Sequence, residues 1–108
     1  MGKTVRIYET ASGKCPFAQW LSKRKDATTK ARILRRLERL EAGHYGDVVS
    51  VGDGISELRF FFGSGYRIYF YENGGQLILL LTAGDKRSQT RDIAKAKAYL
   101  EDYLAREE

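Results

Sequence analysis

Arg59, Arg67, Lys86, Arg87 and Arg91 fall close together in the second half of the chain, with Tyr69 and Tyr71 among them. Guanidinium groups grip phosphates bidentately and tyrosine rings stack on bases, so this set suits single-stranded RNA. Cutting RNA without a metal needs a base for the 2′-hydroxyl, cations for the charge developing on phosphorus, and an acid for the leaving 5′-oxygen. Glu57 or Asp92 could supply the base, Arg59, Arg67 or Lys86 the positive charge, and Tyr69 or a lysine the proton. Charged side chains on an exposed sheet face are also ordinary in α+β proteins, so the pattern alone does not require catalysis. A metal-dependent nuclease is disfavoured, because Asp53, Glu57, Asp85 and Asp92 lack the spacing of a two-metal cluster. The glycines at 52, 54, 63, 65, 74 and 75 sit at turns with no helix following, unlike a phosphate-cradling loop.

The stretch from Gly52 to Gln89 must position these groups. It reads as an antiparallel meander, with Glu57–Phe62 and Tyr66–Tyr71 joined through Gly63-Ser64-Gly65. Folding about Ser64 sets Phe62 opposite Tyr66, Phe60 opposite Ile68 and Leu58 opposite Phe70, which makes one apolar face. The other face then carries Glu57, Arg59 and Phe61 against Tyr71, Tyr69 and Arg67, so two arginines, a carboxylate and two tyrosines share a surface. Beyond Asn73-Gly74-Gly75, Leu77–Leu81 is apolar without alternation, as expected of a central strand covered on both faces.

Upstream, Thr4–Tyr8 reads as a short strand beside that central one. Pro16 opens a helix carrying Phe17, Trp20 and Leu21 and ending near Lys25. Asp26 caps a second helix, in which Ile33, Leu34, Leu37 and Leu40 form an apolar stripe and Gly43 is the stop. Arg32, Arg35, Arg36 and Arg39 lie opposite that stripe and face water or a partner. Val48–Val51 reads as another short strand. Ser88 begins a last helix with Ile93, Ala96, Leu100, Tyr103 and Leu104 on one face. The expected fold is α+β: a small, mostly antiparallel sheet of four or five strands, an N-terminal helical hairpin and a C-terminal helix.

The 108 residues suit one domain spanning 1–108. Nineteen Lys and Arg against fourteen Asp and Glu give a net charge of +5, and Lys23–Arg39 holds eight bases against only Asp26 and Glu38. That bias favours a polyanion or an acidic protein as partner, or else a solvated helix face. No apolar run is long enough for a membrane span and no signal segment opens the chain, so a cytoplasmic location is expected. Cys15 has no disulfide or zinc-spacing partner, and His44 is the one histidine, placed in a turn.

The segments GDGISELRFFFGSGYRIYF and LLLTAGDKRSQTRDIAKAKAYL resemble the RelE/ParE superfamily of toxins from bacterial toxin–antitoxin modules. The likeness is greatest to the HigB-like, phage Gp49-like "addiction module killer" group and runs over nearly the whole chain. The resemblance implies a RelE-like sheet with two helices on one face, no cofactor, and mRNA cleavage on the ribosome, with a HigA-like helix-turn-helix antitoxin as partner. It implies phosphate stabilisation by Arg67, with Arg59 ending the matching strand and Lys86 or Arg87 supplying a basic residue after the last strand. Glu57 stands where RelE carries a lysine, and Gln89 and Asp92 stand near its late tyrosine, so the base differs from the RelE pattern. An RNA surface made of Arg32, Arg35, Arg36, Arg39, Tyr69, Arg87, Gln89 and Arg91 follows, with Arg59, Arg67, Lys86, Glu57 and Asp92 as the catalytic candidates and no metal. The ParE branch offers the alternative of a non-catalytic inhibitor of DNA gyrase.

Overall fold

The computed structural model describes residues 2–107. Met1 and Glu108, the ends of the span expected to form one domain, lie outside the described residues. The order is β1 (Thr4–Ile7), α1 (Pro16–Ser22), α2 (Ala27–Glu41), β2 (Val48–Gly52), β3 (Ile55–Arg59), β4 (Arg67–Asn73), β5 (Leu77–Gly84), a 3-10 turn (Lys86–Ser88) and α3 (Gln89–Glu107). The strands form one sheet in the order β1-β5-β4-β3-β2, with β1 parallel to β5 and every other pair antiparallel. This is the expected α+β architecture, and its sheet has five strands.

Local chemistry sets the boundaries. Asp26 accepts hydrogen bonds from the Thr28 and Thr29 amides and caps α2. Asp53 and Gly54 both have positive φ (57° and 81°), the geometry of a tight hairpin turn between β2 and β3. Asp85 accepts from the Arg87 and Ser88 amides, so the turn before α3 is capped by a residue three positions before Ser88. The first helix also stops at Ser22 rather than near Lys25.

The absence of alternation in β5 has the expected cause. Ile78 and Leu80 join Phe17, Ile33, Leu40, Leu58, Ile68 and Phe70 in the core beneath α1 and α2. Leu79 and Leu81 join Tyr8, Ile55, Tyr69, Ala96 and Leu100 in a second core beneath α3. Each fully buried aliphatic side chain is worth roughly 1.5–3 kcal/mol, so removing either helix layer would strand several of them in water. β5 is thus interior, but β4 is the middle strand.

Three expectations need correction. In the β3–β4 hairpin Arg59 pairs with Arg67, Glu57 with Tyr69 and Leu58 with Ile68, a shift of two residues from a turn folded about Ser64. A shift of two keeps every side chain on its face, so the apolar face survives while the pairs change. Phe60–Tyr66 becomes a connecting loop. On α2, Leu34 is 48% exposed and the stripe is Ile33, Leu37 and Leu40, while Arg36 turns inward. On α3, Leu104 is exposed and Tyr99 replaces it, stacking on Tyr8 with ring centroids 5.0 Å apart.

Candidate functional site

The face expected to be open is covered by α3. Glu57 is 1% exposed, Tyr69 0%, Asp92 5% and Arg67 8%. The Glu57 carboxylate accepts hydrogen bonds from the Tyr69 hydroxyl and the Gln89 amide, each at 2.9 Å, and lies 3.6 Å from Arg67 Nε. Burial, then the neighbouring Glu57, pushes the Tyr69 phenol far above its ordinary pKa, so it stays protonated. Asp92 sits against Gly84 and accepts from the Ser88 hydroxyl. The surface expected from Glu57, Tyr69, Arg67 and Asp92 is therefore a buried polar network. A base cannot stack on Tyr69, nor a 2′-hydroxyl reach Glu57, with α3 in place.

A bulge puts Asp92 there. Between Tyr69 and Phe70 the β4–β5 register slips by one, so Tyr69 faces Thr82 while Phe70 faces Leu80. Gly84 consequently pairs with Arg67 on the α3 side. A Cβ at Gly84 would overlap the Asp92 carboxylate and come within 2.7 Å of Ser88 Oγ, so the close approach of α3 requires glycine.

Cations gather at the end of the sheet. Arg59 and Arg67 are direct cross-strand partners, an arrangement of like charges that costs stability. Each is only loosely neutralised: Arg59 Nε lies 3.6 Å from Asp47 and Arg67 Nε 3.6 Å from Glu57, and neither Nε has a hydrogen-bond partner. The Arg67 guanidinium also donates to the Gly65 carbonyl at 2.8 Å. Gly65, with φ +75°, fits between them: a side chain there would meet Arg67 Nη1 at 3.3 Å and Lys86 Cβ at 3.4 Å. The Lys86 amide donates to the Ser64 carbonyl at 3.3 Å, tying the loop to the turn before α3. Next to it, Asp85, Arg87, Ser88 and Arg91 line a hollow of about 380 Å³. Burial pushes the Asp85 carboxyl up, but bonds from the Ser88 amide, the Ser64 hydroxyl and the Arg87 amide outweigh it and hold it below the usual range. Asp85 is thus a weak base.

A second basic surface lies on the other side of the sheet. Arg32 lies over Phe62 and Arg36 over Phe60, both 5.0 Å from the ring centroid, and with Arg35 and Arg39 they border a groove of about 230 Å³. Arg36 is half-buried, donating to the carbonyls of Arg59 (2.8 Å), Asp47 (3.1 Å) and Tyr45 (3.3 Å). It holds the loop rather than facing solvent as the sequence suggested. Among the described residues no three of His, Cys, Asp and Glu are grouped as metal ligands.

The family model described as "Phage derived protein Gp49-like (DUF891)" matches residues 19–102, which run from α1 through most of α3. The chain belongs to the Gp49-like family. That family is associated with the toxins of addiction modules, and an antitoxin in general is the partner such a toxin has. An uncharacterized protein from Haemophilus influenzae (strain ATCC 51907 / DSM 11121 / KW20 / Rd) is 46% identical over 94 residues, covering 87% of this chain and 91% of the relative. Among the described residues no helix is long and apolar enough to cross a membrane.

Of the residues expected to act, the structure brings Arg59, Arg67 and Lys86 to one end of the sheet, with Arg87 and Arg91 around the adjoining hollow. It separates them from Arg32, Arg35 and Arg39, which lie across the sheet, and turns Gln89 inward onto Glu57. The sequence pattern puts Phe61 on the outer face without a role and misses Asp47 as the ion-pair partner of Arg59. The signal for Phe61 was the FFF run itself: its outer two rings pack under α2, and the middle one must point away.

Proposed function

We propose that this chain is the toxin of a type II toxin–antitoxin module, a HigB-like member of the RelE superfamily that cleaves mRNA on the ribosome and halts translation in the cytoplasm. The observation that carries this reading is the placing of Arg59, Arg67 and Lys86 at one end of the sheet, the first two under-neutralised and in direct cross-strand register. Family membership supports the toxin part. A HigA-like helix-turn-helix antitoxin is the proposed neutralising partner.

In the proposed cleavage the 2′-hydroxyl gives up its proton to solvent hydroxide, its oxygen attacks phosphorus, the bond from phosphorus to the 5′-oxygen breaks to leave a 2′,3′-cyclic phosphate, and the departing 5′-oxygen takes a proton from water. Arg59 and Lys86 stabilise the charge that builds on the non-bridging oxygens, and Arg67, at the boundary of the core, adds its positive charge from behind them, an effect worth several kcal/mol when the donors are pre-positioned. Glu57 is a positioning residue, holding Arg67 beneath α3, and Gln89 holds Glu57. Arg87 and Arg91 bind flanking phosphates from the rim of the hollow. No metal or cofactor enters this reading.

The test is induction of the Lys86→Ala and Arg67→Ala variants, with circular dichroism to confirm folding and mapping of transcript 5′ ends. Folded variants should relieve growth arrest and abolish new 5′ ends. Undiminished killing by both would remove these residues from the mechanism, and loss of gyrase supercoiling with intact translation would replace it by ParE-like inhibition.

A further inference from the structure

Phe61 is 80% exposed, the most exposed of the large apolar side chains described. Its neighbours Phe60 and Phe62 are covered by Arg36 and Arg32, whereas Phe61 has only the Arg59 guanidinium against its ring, 6.0 Å from the centroid. Exposing a whole phenyl ring forfeits a burial worth roughly 1.5–3 kcal/mol. The ring also projects from a loop whose backbone is fixed, because Arg36 clamps the Arg59 carbonyl and the Phe60 amide donates to the Tyr66 carbonyl at 3.0 Å.

The surroundings select the occupant. The groove beside Phe61 is lined by arginines and phenylalanines with no carboxylate. On α2, Arg32, Arg35 and Arg39 recur at helical spacing along roughly 10 Å of axis, a row of cations parallel to the groove. An exposed aromatic face beside a track of guanidinium groups is the pairing by which proteins hold single-stranded nucleic acid, bases stacked and phosphates neutralised.

We propose that Phe61 stacks on an unpaired base of single-stranded RNA whose phosphates lie along Arg32, Arg35 and Arg39. This rests on the RNA-directed reading above and deepens it by adding a base-binding site at the rim of the α2 groove, beside Arg59. Arg59 links the groove to the cleavage cations, since its guanidinium lies 6.0 Å from the Phe61 ring centroid while its backbone pairs with Arg67. RNA held on the groove would thereby be led around the 60–66 loop toward Lys86.

The test uses the full chain and a short fluorescein-labelled single-stranded oligoribonucleotide, 2′-O-methylated so that it cannot be cut, read by fluorescence anisotropy. Phe61→Ala should weaken binding between about fivefold and a hundredfold, as loss of one stacked base does, and Phe61→Trp should restore it. An abasic oligomer should bind the wild type and Phe61→Ala equally. Equal affinity of Phe61→Ala and wild type for the base-bearing RNA would overturn the stacking site while leaving the cleavage cations untouched. So would an equal loss on the abasic oligomer, or a poly-glutamate peptide that binds in a Phe61-dependent way when RNA does not, which would make the groove a seat for an acidic protein segment. Because Phe61 is outside the cleavage set, loss of arrest in Lys86→Ala tests the earlier reading separately.

Discussion

Removing Glu57 should expose how the Arg67 cation is held. Both side chains are buried, at 1% and 9% side-chain exposure, and the ion pair is long at 3.6 Å. Deleting one partner of a buried pair costs about 3–5 kcal/mol, because the other charge is left uncompensated. The long contact and the fallback bond from Arg67 to Gly65 place this pair at the low end, about 3 kcal/mol for Glu57→Ala. Glu57→Ala also takes the acceptor from the Tyr69 hydroxyl and the Gln89 amide, which prevents a smaller figure. For a domain of this size that is a fall in melting temperature of roughly 10–20 °C. Arg67→Ala should cost a similar amount. The double variant Glu57→Ala/Arg67→Ala should cost far less than the sum, with a coupling of about 2 kcal/mol. Urea unfolding followed by Trp20 fluorescence suits the measurement, since Trp20 packs on Tyr66 under the opposite helices and does not touch the pair. Single variants that add, each within about 0.5 kcal/mol of wild type, would refute the positioning role of Glu57.

Gly84→Ala should destabilise by about 1–3 kcal/mol, because its methyl group overlaps the Asp92 carboxylate; Asp92→Ala in the same chain should recover part of the loss, measured by urea titration. The Tyr8 phenol is pushed up to about 12 by burial and then by the bonded Asp102. A raised folded-state value stabilises the fold below the ordinary value of 10 and loses that contribution as pH rises toward 12, so Tyr8→Phe should flatten the alkaline fall in stability between those values. The cleavage rate on ribosome-bound message should rise about tenfold per pH unit from roughly pH 6 to 9, because Glu57 and Asp92 are buried and Asp85, the carboxylate lining the hollow, is a weak base; a plateau near neutrality would mean that a side chain takes the proton.

The helices, turns and double-sided strand were legible because each rests on local chemistry. Asp26 caps, Pro16 starts, Asp53-Gly54 turns, and Leu77–Leu81 shows both faces buried. The hairpin register was not legible, since a shift of two conserves every inward and outward residue and leaves the pattern unchanged. The site was misread for a different reason. Glu57, Arg67 and Tyr69 are polar, and polarity in a strand argues for solvent; only the packing of Ala96 and Leu100 of α3 on that face shows that it is closed. The alternation of charge could have warned of this, since one acid among two bases and a tyrosine is what a self-satisfied buried network needs.

Closing that face changes where the chemistry can occur. Carboxylates shut under α3 cannot meet a substrate, but they fix the angle of a guanidinium that lies at the boundary of the core. The bulge in β5 brings Gly84 to the α3 side, the glycine admits Asp92, and the anchored turn carries Lys86 to the same edge as Arg67. On the other side, Arg36 spends its charge on three carbonyls to hold the loop, which leaves Phe61 and the outer α2 arginines free. Two basic surfaces thus share one rigid loop, and a polyanion long enough to cross it would touch both.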